Sequence, residues 1–379
     1  KLMWIKDNES PIYAKTYKML NAKDFIILKL TNQFVTEYSD ASSTCLMDLN
    51  KLCWSDELLN IMGIDKQKMP KLLKSTDIAG YITNTASELT GLCPNTPVVC
   101  GGGDGVCAAV GTGCIKEGIA HSSIGTSSWI SITTKKPIFS KNKSTFNWAH
   151  IVPGYILPTG TMQSGGGAYS WYINKFCQYE QNLAQKEHKS IYEILEQELT
   201  NTSVGSNGLL FLPYLIGERS PWWNTNAKAN FIGLKMEHQR KDLLRAIQEG
   251  VAMNLNIILN IFKAENIHIS ELVAVGGGAK SKSWQKIFAD VYNTKIILPK
   301  LLDEAASMGA AITAGVGIGI FKDFEVASKF ISLDKIIEPT PTNVKKYQKL
   351  QPIFEKAYLQ LQSLFEQLND FSETRVLDE

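Results

Sequence analysis

The chain has 379 residues, 44% of which are hydrophobic, and its formal net charge at pH 7 is +2. This length exceeds the usual size of one hydrophobic core, so two domains are expected. The nearly balanced charge gives no broad basic field, so a nucleic-acid partner is not implied, and any anionic ligand must be bound locally.

The first half of the chain contains a predicted helix and a predicted strand, glycine turn and helix. Residues 24–32 favour a short helix that ends where Asn32 adopts the left-handed conformation. The apolar run 97–100 favours a strand, three glycines follow it, and residues 106–110 have helical composition. Asp104 leaves this turn at the strand end, where open α/β sheets place ligand contacts. Its local sequence alone favours capping of the helix over catalysis.

Two further glycine segments follow. Residues 120–134 favour a hairpin with Gly125 in its turn, and the hydroxyls around this turn either clamp phosphate oxygens or belong to an ordinary Ser-rich hairpin. Residues 272–275 favour a strand, followed by 276–278 and a helix from Trp284, where bare backbone lets a nucleotide lie close. The repeated order of strand, turn and helix implies an α/β architecture.

Three segments have helical patterns. Residues 241–262 place apolar side chains at three- and four-residue intervals, which predicts a strongly amphipathic helix that carries core. A last helix is expected after Pro341, with aromatic residues on one side. The uncharged run 305–321 is shorter than the ~20 residues of a membrane span, so it favours a buried, closely packed helix.

The cysteines indicate the compartment. They number seven and form no C-x-x-C pair, which argues against a disulfide framework and a zinc site and favours a reducing cytoplasm. Cys100, Cys107 and Cys114 are interpreted as buried small hydrophobes. The first residues lack the apolar core of a signal peptide. These features predict a cytoplasmic protein without a membrane or nucleic-acid partner.

Other candidate residues receive structural interpretations. The five histidines show no metal spacing and are expected in loops or on surfaces. Trp171, Trp222 and Trp223 suit sugar stacking, but packing is the favoured role. The chain contains neither a P-loop, G-x-x-x-x-G-K-[ST], nor the H-R-D and D-F-G elements of protein kinases, so another fold must handle any phosphate.

Several segments together resemble a known family. They are residues 1–8, 30–32 with 39–42, 229–234 with 242–249, 123–127, and 276–281 continuing to 289–291. In this order they are similar to the FGGY carbohydrate kinases, most nearly to the xylulokinase-like members. The resemblance implies the ribonuclease H-like α/β fold of actin, hexokinase and Hsp70 ATPases, with two lobes around a cleft. Residues 1–113 would form the sugar-binding domain and residues 114–379 the ATP-binding domain.

The resemblance also implies the chemistry. ATP and Mg²⁺ would be the cofactors, and Asp104 would accept the proton of a sugar hydroxyl and hold Mg²⁺ directly or through water. Asp104 and Gly105 would contact the sugar, a ketopentose such as D-xylulose that becomes its 5-phosphate in xylose metabolism. A homodimer is expected, and Arg219 of the Gly-Glu-Arg-x-Pro turn would brace that loop. The implied ATP contacts are Gly125, Thr126, Ser127, Gly166, Ser170, Gly276, Gly277, Gly278 and Lys282.

Two departures from the family pattern leave alternatives open. Gly105 stands where xylulokinases carry Asn, so glycerol, gluconate, L-ribulose and erythritol remain alternative substrates. The chain begins inside the first signature, which predicts that it lacks the N-terminal part of the family and that its first lobe is incomplete. On that basis this polypeptide alone is expected to phosphorylate sugar poorly or not at all. A non-catalytic protein that senses a nucleotide or a sugar is the alternative from another class.

Overall fold

The computed structural model describes residues 1–140, 144–300 and 303–374. The helices, α1 to α15 in chain order, are Leu2–Asn8, Ser10–Lys15, Ala22–Thr31, Tyr38–Ser43, Asp56–Ile61, Asn84–Thr90, Asp104–Gly111, Gly166–Phe176, Gln178–Glu187, Ile191–Leu199, Arg240–Ala264, Lys282–Tyr292, Ala305–Gly317, Ala327–Phe330 and Pro341–Thr374. The strands, β1 to β15, are Val35–Glu37, Met47–Asp48, Cys53–Trp54, Lys71–Leu73, Ile78–Tyr81, Pro97–Val99, Ala120–Ile124, Ser128–Ile132, Phe146–Ala149, Ile156–Met162, Leu210–Leu212, Asn230–Ile232, Glu271–Val275, Lys295–Pro299 and Leu333–Ile337. The predicted hairpin, the glycine-turn units and the amphipathic helix are confirmed.

A mixed sheet of seven strands organises the molecule, in the order β15-β14-β13-β7-β8-β10-β9. Strand β13 runs parallel to both β7 and β14, whereas β8 is antiparallel to β7 and to β10. Strands β7, β10 and β13 therefore point the same way, and their carboxyl ends lie at one edge of the sheet. The residues that follow these three strands are brought together at that edge.

Helices cover both faces of this sheet. On one face the main core joins sheet residues such as Ile130 to α11, whose Leu255, Ile258 and Phe262 are fully buried. The last helix, α15, adds Tyr347, Phe354, Tyr358 and Phe365 to the same core, in agreement with its predicted aromatic side. On the other face α7 and α13 pack against β13 and β14.

Helices α7 and α13 approach each other through glycine. A Cβ atom at Gly111 would lie 1.8 Å from the carbonyl oxygen of Ala305, and one at Gly309 would lie 1.8 Å from that of Cys107. Side chains larger than hydrogen cannot occupy these two positions. The closely packed helix predicted within 305–321 is confirmed. Among the described residues, no helix combines the length and the apolar character that crossing a membrane requires.

The first hundred residues form short helices around two-stranded sheets. Strands β1 and β4 pair in parallel, and β2–β3 and β5–β6 pair antiparallel. Helix α3 ends at Asn32, whose φ of 63° is left-handed as predicted. Cys100, Cys107 and Cys114 are buried, and burial raises the pKa of each thiol to about 12.

The predicted exposure of the histidines is wrong for two of them. His121 lies within β7 and is fully buried, and neither ring nitrogen has a hydrogen-bond partner among the residues that the structure describes. His150 is also buried, with Nε2 3.0 Å from the carbonyl oxygen of Cys114. Burial lowers the pKa of His121 to about 3 and that of His150 to about 4. Isolated histidines carry no hydrophobic pattern that would indicate burial in advance.

Replacing His121 with Leu is expected to weaken the pH dependence of stability. The folded pKa of His121 lies below the ordinary value of 6.5, so the unfolded chain takes up this proton first and stability falls as pH drops below 6.5. Between pH 7 and pH 5 the unchanged protein should lose about 2 kcal/mol more unfolding free energy than the variant. Urea unfolding at the two pH values measures this difference. The exposed control His268→Gln should keep the full pH dependence, and equal losses in His121→Leu and the unchanged protein would contradict the prediction.

Candidate functional site

Three glycine segments meet at the edge of the sheet where β7, β10 and β13 end. The N–H group of Gly166 donates to the carbonyl oxygen of Gly125 (2.7 Å), and that of Gly165 donates to the carbonyl oxygen of Thr126 (2.9 Å). A Cβ atom at Gly276 would lie 2.9 Å from the carbonyl oxygen of Ile124. The structure thus brings together segments that are far apart in the sequence, because each follows a strand that ends at this edge of the sheet.

At most of these glycines a side chain would clash with protein atoms, but at one of them it would not. A Cβ atom at Gly166 would lie 2.7 Å from the carbonyl oxygen of Gly125, and one at Gly278 would lie 2.3 Å from Cγ2 of Ile124. At Gly277, in contrast, no atom of the described residues beyond its two chain neighbours lies within 4 Å of the Cβ position. Gly277 is exposed and leaves room for a ligand against the backbone.

The β7–β8 turn carries unused hydrogen-bond donors. Within the described ranges, no hydrogen bond uses the N–H group or the hydroxyl of Thr126 or Ser127. The first N–H groups of α8, by contrast, already donate to the carbonyl oxygens of Gly125 and Thr126. Backbone and hydroxyl donors gathered in one turn form an anion-binding concavity. A phosphate is therefore better served by this turn than by the start of α8.

The remaining predicted nucleotide contacts flank this turn. Ser170 lies four residues after Gly166 on α8 and is half-buried, so both face the same side of the helix. Lys282 is the first residue of α12, and its side chain is exposed. Both residues are placed next to the glycine segments rather than within them.

Glu196 is a residue of the site that the sequence did not reveal. Its carboxylate accepts hydrogen bonds from the hydroxyl of Ser281 (2.9 Å) and from the N–H group of Ser283 at the start of α12. A carboxylate at a helix N-terminus neutralises the partial positive charge there. The start of α12 is thus already occupied by a negative group, which makes it a poorer phosphate site than the β7–β8 turn.

Asp104 is the first residue of α7 rather than its N-cap. The N-cap is Gly103, and one oxygen of the exposed Asp104 carboxylate accepts from the N–H group of Gly105 (2.7 Å). Among the described residues, that is the one hydrogen bond of the Asp104 side chain. The capping role favoured by the local sequence does not match this arrangement. A carboxylate oxygen remains open to solvent and to a substrate.

The structure does not bring Asp104 into contact with the glycine segments. Its helix nevertheless packs on the strand that leads into one of them, because Ala108 shares a buried cluster with Val273 and Val275 of β13. Ala108 lies one helical turn beyond Asp104. Gly105, the other predicted sugar contact, also leaves space, because no described atom outside the adjoining part of its own helix lies within 4 Å of its Cβ position.

The loop after Gly217 is braced by Glu218, and the role predicted for Arg219 is wrong. One oxygen of the buried Glu218 carboxylate accepts from the N–H groups of Gln163 and Arg219, both at 2.8 Å. The other accepts from Nδ2 of Asn254 (3.0 Å). The Arg219 side chain is exposed, and burial raises the pKa of Glu218 to about 8. Glu218 thereby fixes the segment between β10 and the glycines of α8.

Truncating Glu218 to Ala should destabilise the protein far more than truncating its neighbour Arg219. Three donors would lose their buried acceptor, which is expected to cost about 2–4 kcal/mol of unfolding free energy. Arg219→Ala should change the unfolding free energy by no more than about 0.5 kcal/mol, since the exposed side chain is all that it removes. Urea unfolding of both variants at one pH provides the comparison. Equal losses would contradict this account of the loop.

The three tryptophans serve packing, as predicted. Trp222 stacks on Tyr358 with ring centroids 4.1 Å apart, and its indole N–H donates to the hydroxyl of Tyr214 (2.7 Å). Trp171 lies edge-on to Phe176. Trp223 lies edge-on to Phe146 and remains half exposed.

The sequence of this chain matches those of known proteins. Residues 120–318 match the model of the FGGY family of carbohydrate kinases, C-terminal domain, and residues 1–111 match the N-terminal domain of that family. A xylulose kinase of Lactococcus lactis subsp. lactis (strain IL1403) is 32% identical over 376 residues, which cover 98% of this chain and 73% of the relative. A gluconokinase of Bacillus subtilis (strain 168) is 31% identical, covering 98% of this chain and 72% of the relative.

Solved structures agree with these matches. The ligand-bound xylulose kinase from Lactobacillus acidophilus superposes with a TM-score of 0.88 at 26% identity, covering 97% of this chain and 72% of that one. The predicted α/β fold of the actin, hexokinase and Hsp70 type is confirmed. The predictions that the N-terminal part is lacking and that the first lobe is incomplete are not borne out, because residues 1–111 match the N-terminal domain. The expectation of low activity loses its basis with them.

Proposed function

Because the chain belongs to the FGGY family of carbohydrate kinases, we propose that it transfers the γ-phosphate of ATP to a hydroxyl of a ketopentose such as D-xylulose. The product is the 5-phosphate of that sugar. The observation that carries this proposal is the meeting of the β7–β8 turn with the glycines of α8 and of the β13–α12 turn. A xylulose kinase and a gluconokinase of similar sequence support the sugar class.

The phosphates of ATP lie against the β7–β8 turn. Thr126 and Ser127 present N–H groups and hydroxyls that lack protein partners among the described residues, and Gly125 lets the chain turn there. Gly277 and Gly278 provide bare backbone for the nucleotide, and Gly276 seats that turn on Ile124. Gly166, Ser170 and Lys282 complete the proposed contacts from α8 and α12.

Asp104 acts as the general base of the transfer. A sugar hydroxyl held beside Asp104 and Gly105 gives its proton to the open carboxylate oxygen as its own oxygen forms a bond to the γ-phosphorus. The bond from that phosphorus to the β-phosphate oxygen breaks, and ADP leaves. General-base help of this kind contributes about 10²–10⁴ in rate. The remaining barrier is lowered by positioning and by donors directed at the phosphate oxygens, which the turn at Thr126 supplies.

Mg²⁺ fits this site as a partner of ATP. Mg²⁺ commonly binds through one or two carboxylates together with substrate phosphates, so a protein cage is not needed. Asp104 offers such a carboxylate, directly or through water, since one of its oxygens is unbonded among the described residues. When bound, Mg²⁺ neutralises charge on the β- and γ-phosphate oxygens.

The two domains form lobes on either side of the reaction. We assign residues 1–113 to the sugar-binding lobe and residues 114–379 to the ATP-binding lobe, which close around the cleft when both substrates bind. A cytoplasmic location is consistent with the free cysteines of the described chain.

A substrate panel with coupled detection of ADP tests the proposal. D-xylulose, gluconate, glycerol, L-ribulose and erythritol are compared at saturating ATP, and D-xylulose should give the highest kcat/KM. A higher kcat/KM for gluconate would favour the second candidate function, that of a gluconokinase, which the similarity to the B. subtilis gluconokinase supports. ATP binding by calorimetry without turnover of any sugar would favour a non-catalytic nucleotide-binding protein.

A further inference from the structure

A buried group of charges lies beneath the glycine turn that leads into Asp104. It consists of Lys23, Asp24, Glu37 and Asp40, and is called the charge cluster below. Nζ of Lys23 lies 2.9 Å from Oδ1 of Asp24 and 3.4 Å from Oδ2 of Asp40, and the carboxylates of Asp24 and Glu37 are fully buried. The cluster sets one cation against three carboxyl groups. Burial, reinforced by the other carboxylates, raises the pKa of Asp40 to about 6.

Glu37 connects this cluster to both ends of the glycine turn. Its Oε1 accepts from the hydroxyl of Ser39 (2.6 Å), and its Oε2 accepts from the hydroxyl of Ser75 (2.9 Å). The same two serines then bind the turn. Oγ of Ser39 accepts a hydrogen bond from the N–H group of Gly103 (3.0 Å). The carbonyl oxygen of Ser75 accepts one from the N–H group of Gly101 (2.9 Å).

The turn is also shaped for close contact with the cluster. A Cβ atom at Gly103 would lie 3.1 Å from Oδ1 of Asp40, so a larger residue there would press on this carboxyl group. Gly101 has a φ of 73°, a conformation that favours glycine. Gly103 is the N-cap of α7 and directly precedes Asp104, so a shift of Gly103 is passed on to the Asp104 carboxylate.

We propose that Glu37 and Ser39 are positioning residues that hold Asp104 in its reactive place through the N–H group of Gly103. This inference rests on the proposed function, because it assigns Asp104 a proton to accept. A buried ion cluster is a weak source of stability, since desolvation offsets much of the attraction. Its directed hydrogen bonds, in contrast, define the geometry of the turn. Misplacement of a reacting group by about 1 Å can cost 10²-fold in rate.

The variant Ser39→Ala tests this inference, with Ser43→Ala as its matched control. Both serines lie on α4, but the hydroxyl of Ser43 donates to the carbonyl oxygen of Asp40 and is exposed. Ser39→Ala should lower kcat for sugar phosphorylation by about 10- to 100-fold with the KM for ATP unchanged. Amide exchange in the peptide covering residues 101–111 should become faster. Ser43→Ala should match the unchanged protein in all three measurements, and Ser39→Thr, which keeps the hydroxyl, should recover part of the rate.

A double-mutant cycle separates positioning from plain structural support. If Ser39 acts through Asp104, adding Ser39→Ala to Asp104→Asn should cause no further loss of kcat. A full additional loss in that background, or an unchanged kcat in folded Ser39→Ala, overturns the inference. Absence of turnover in the unchanged protein would instead contradict the proposed function. In that case unchanged amide exchange of residues 101–111 in Ser39→Ala would still overturn the positioning role.

Discussion

Replacing Asp104 with Asn is expected to lower kcat by about 10²–10⁴ while leaving the Kd for ATP unchanged. The amide keeps the size and polarity of the side chain but cannot accept the proton of the sugar hydroxyl. Stability should not fall, because the carboxylate is exposed and its hydrogen bond from the N–H group of Gly105 can also be accepted by the amide oxygen. Steady-state turnover by coupled ADP detection and ATP titration by calorimetry measure the two quantities.

Asp56→Asn is the matched control for this substitution. Asp56 is likewise an exposed aspartate at the first position of a helix, α5, but its carboxylate pairs with Lys66 on the surface. Its replacement should leave kcat and ATP affinity unaltered. Turnover of Asp104→Asn close to that of the control would remove Asp104 from the mechanism, whereas an equal loss of ATP affinity would make it a nucleotide ligand instead.

Replacing Gly277 with Ala is expected to weaken ATP binding by about 10- to 100-fold without loss of stability. The protein leaves space for the added methyl group, since beyond the adjacent residues no atom of the described chain lies within 4 Å of its position. That space is where the nucleotide approaches the backbone in the proposed site. Calorimetric titration with ATP and thermal unfolding of the free protein measure the two effects. Unaltered affinity would show that the nucleotide does not lie against Gly277.

The neighbouring variant Gly278→Ala, in contrast, is expected to lower stability. Its methyl group would lie 2.3 Å from Cγ2 of Ile124 and 3.2 Å from Cζ3 of Trp284, so the core must shift to accommodate it. We expect a loss of about 1–3 kcal/mol in unfolding free energy. The pair thus distinguishes a position where a side chain would meet the ligand from one where a side chain would meet the protein core. Similar stability losses in both variants would refute that distinction.

Local sequence patterns predicted the strands, turns and helices of the site but not the side chains that hold them in place. The hairpin at Gly125 and the turns at Gly101 and Gly276 follow from runs of a few residues, and the direction of neighbouring strands brings two of them together. Glu196, Glu218 and Ser39 have partners 85, 55 and 64 residues away along the chain. No pattern within a window of residues indicates such contacts. Hydrogen bonds to serine hydroxyls and backbone N–H groups also impose no periodicity.

Two wrong predictions have a common physical origin. The exposure of His121 was predicted from the usual behaviour of histidine, and the bracing role of Arg219 was implied by the resemblance of its turn to that of the family. The sheet instead buries His121 between β13 and β8, while the backbone of Arg219 rather than its guanidinium is bound by Glu218. In both cases the tertiary structure, through a neighbouring strand or a distant carboxylate, overrides the residue type.

The glycine contact between α7 and α13 crosses the boundary between the two domains. Helix α7 belongs to the N-terminal family match, which ends at residue 111, yet its Cys107 and Gly111 pack against a helix within the C-terminal match. Neither domain can melt without uncovering backbone and apolar surface of the other. We therefore expect the helix that begins with Asp104 to couple the unfolding of the two domains, and a fragment that starts at residue 114 would leave the glycine face of α13 uncovered.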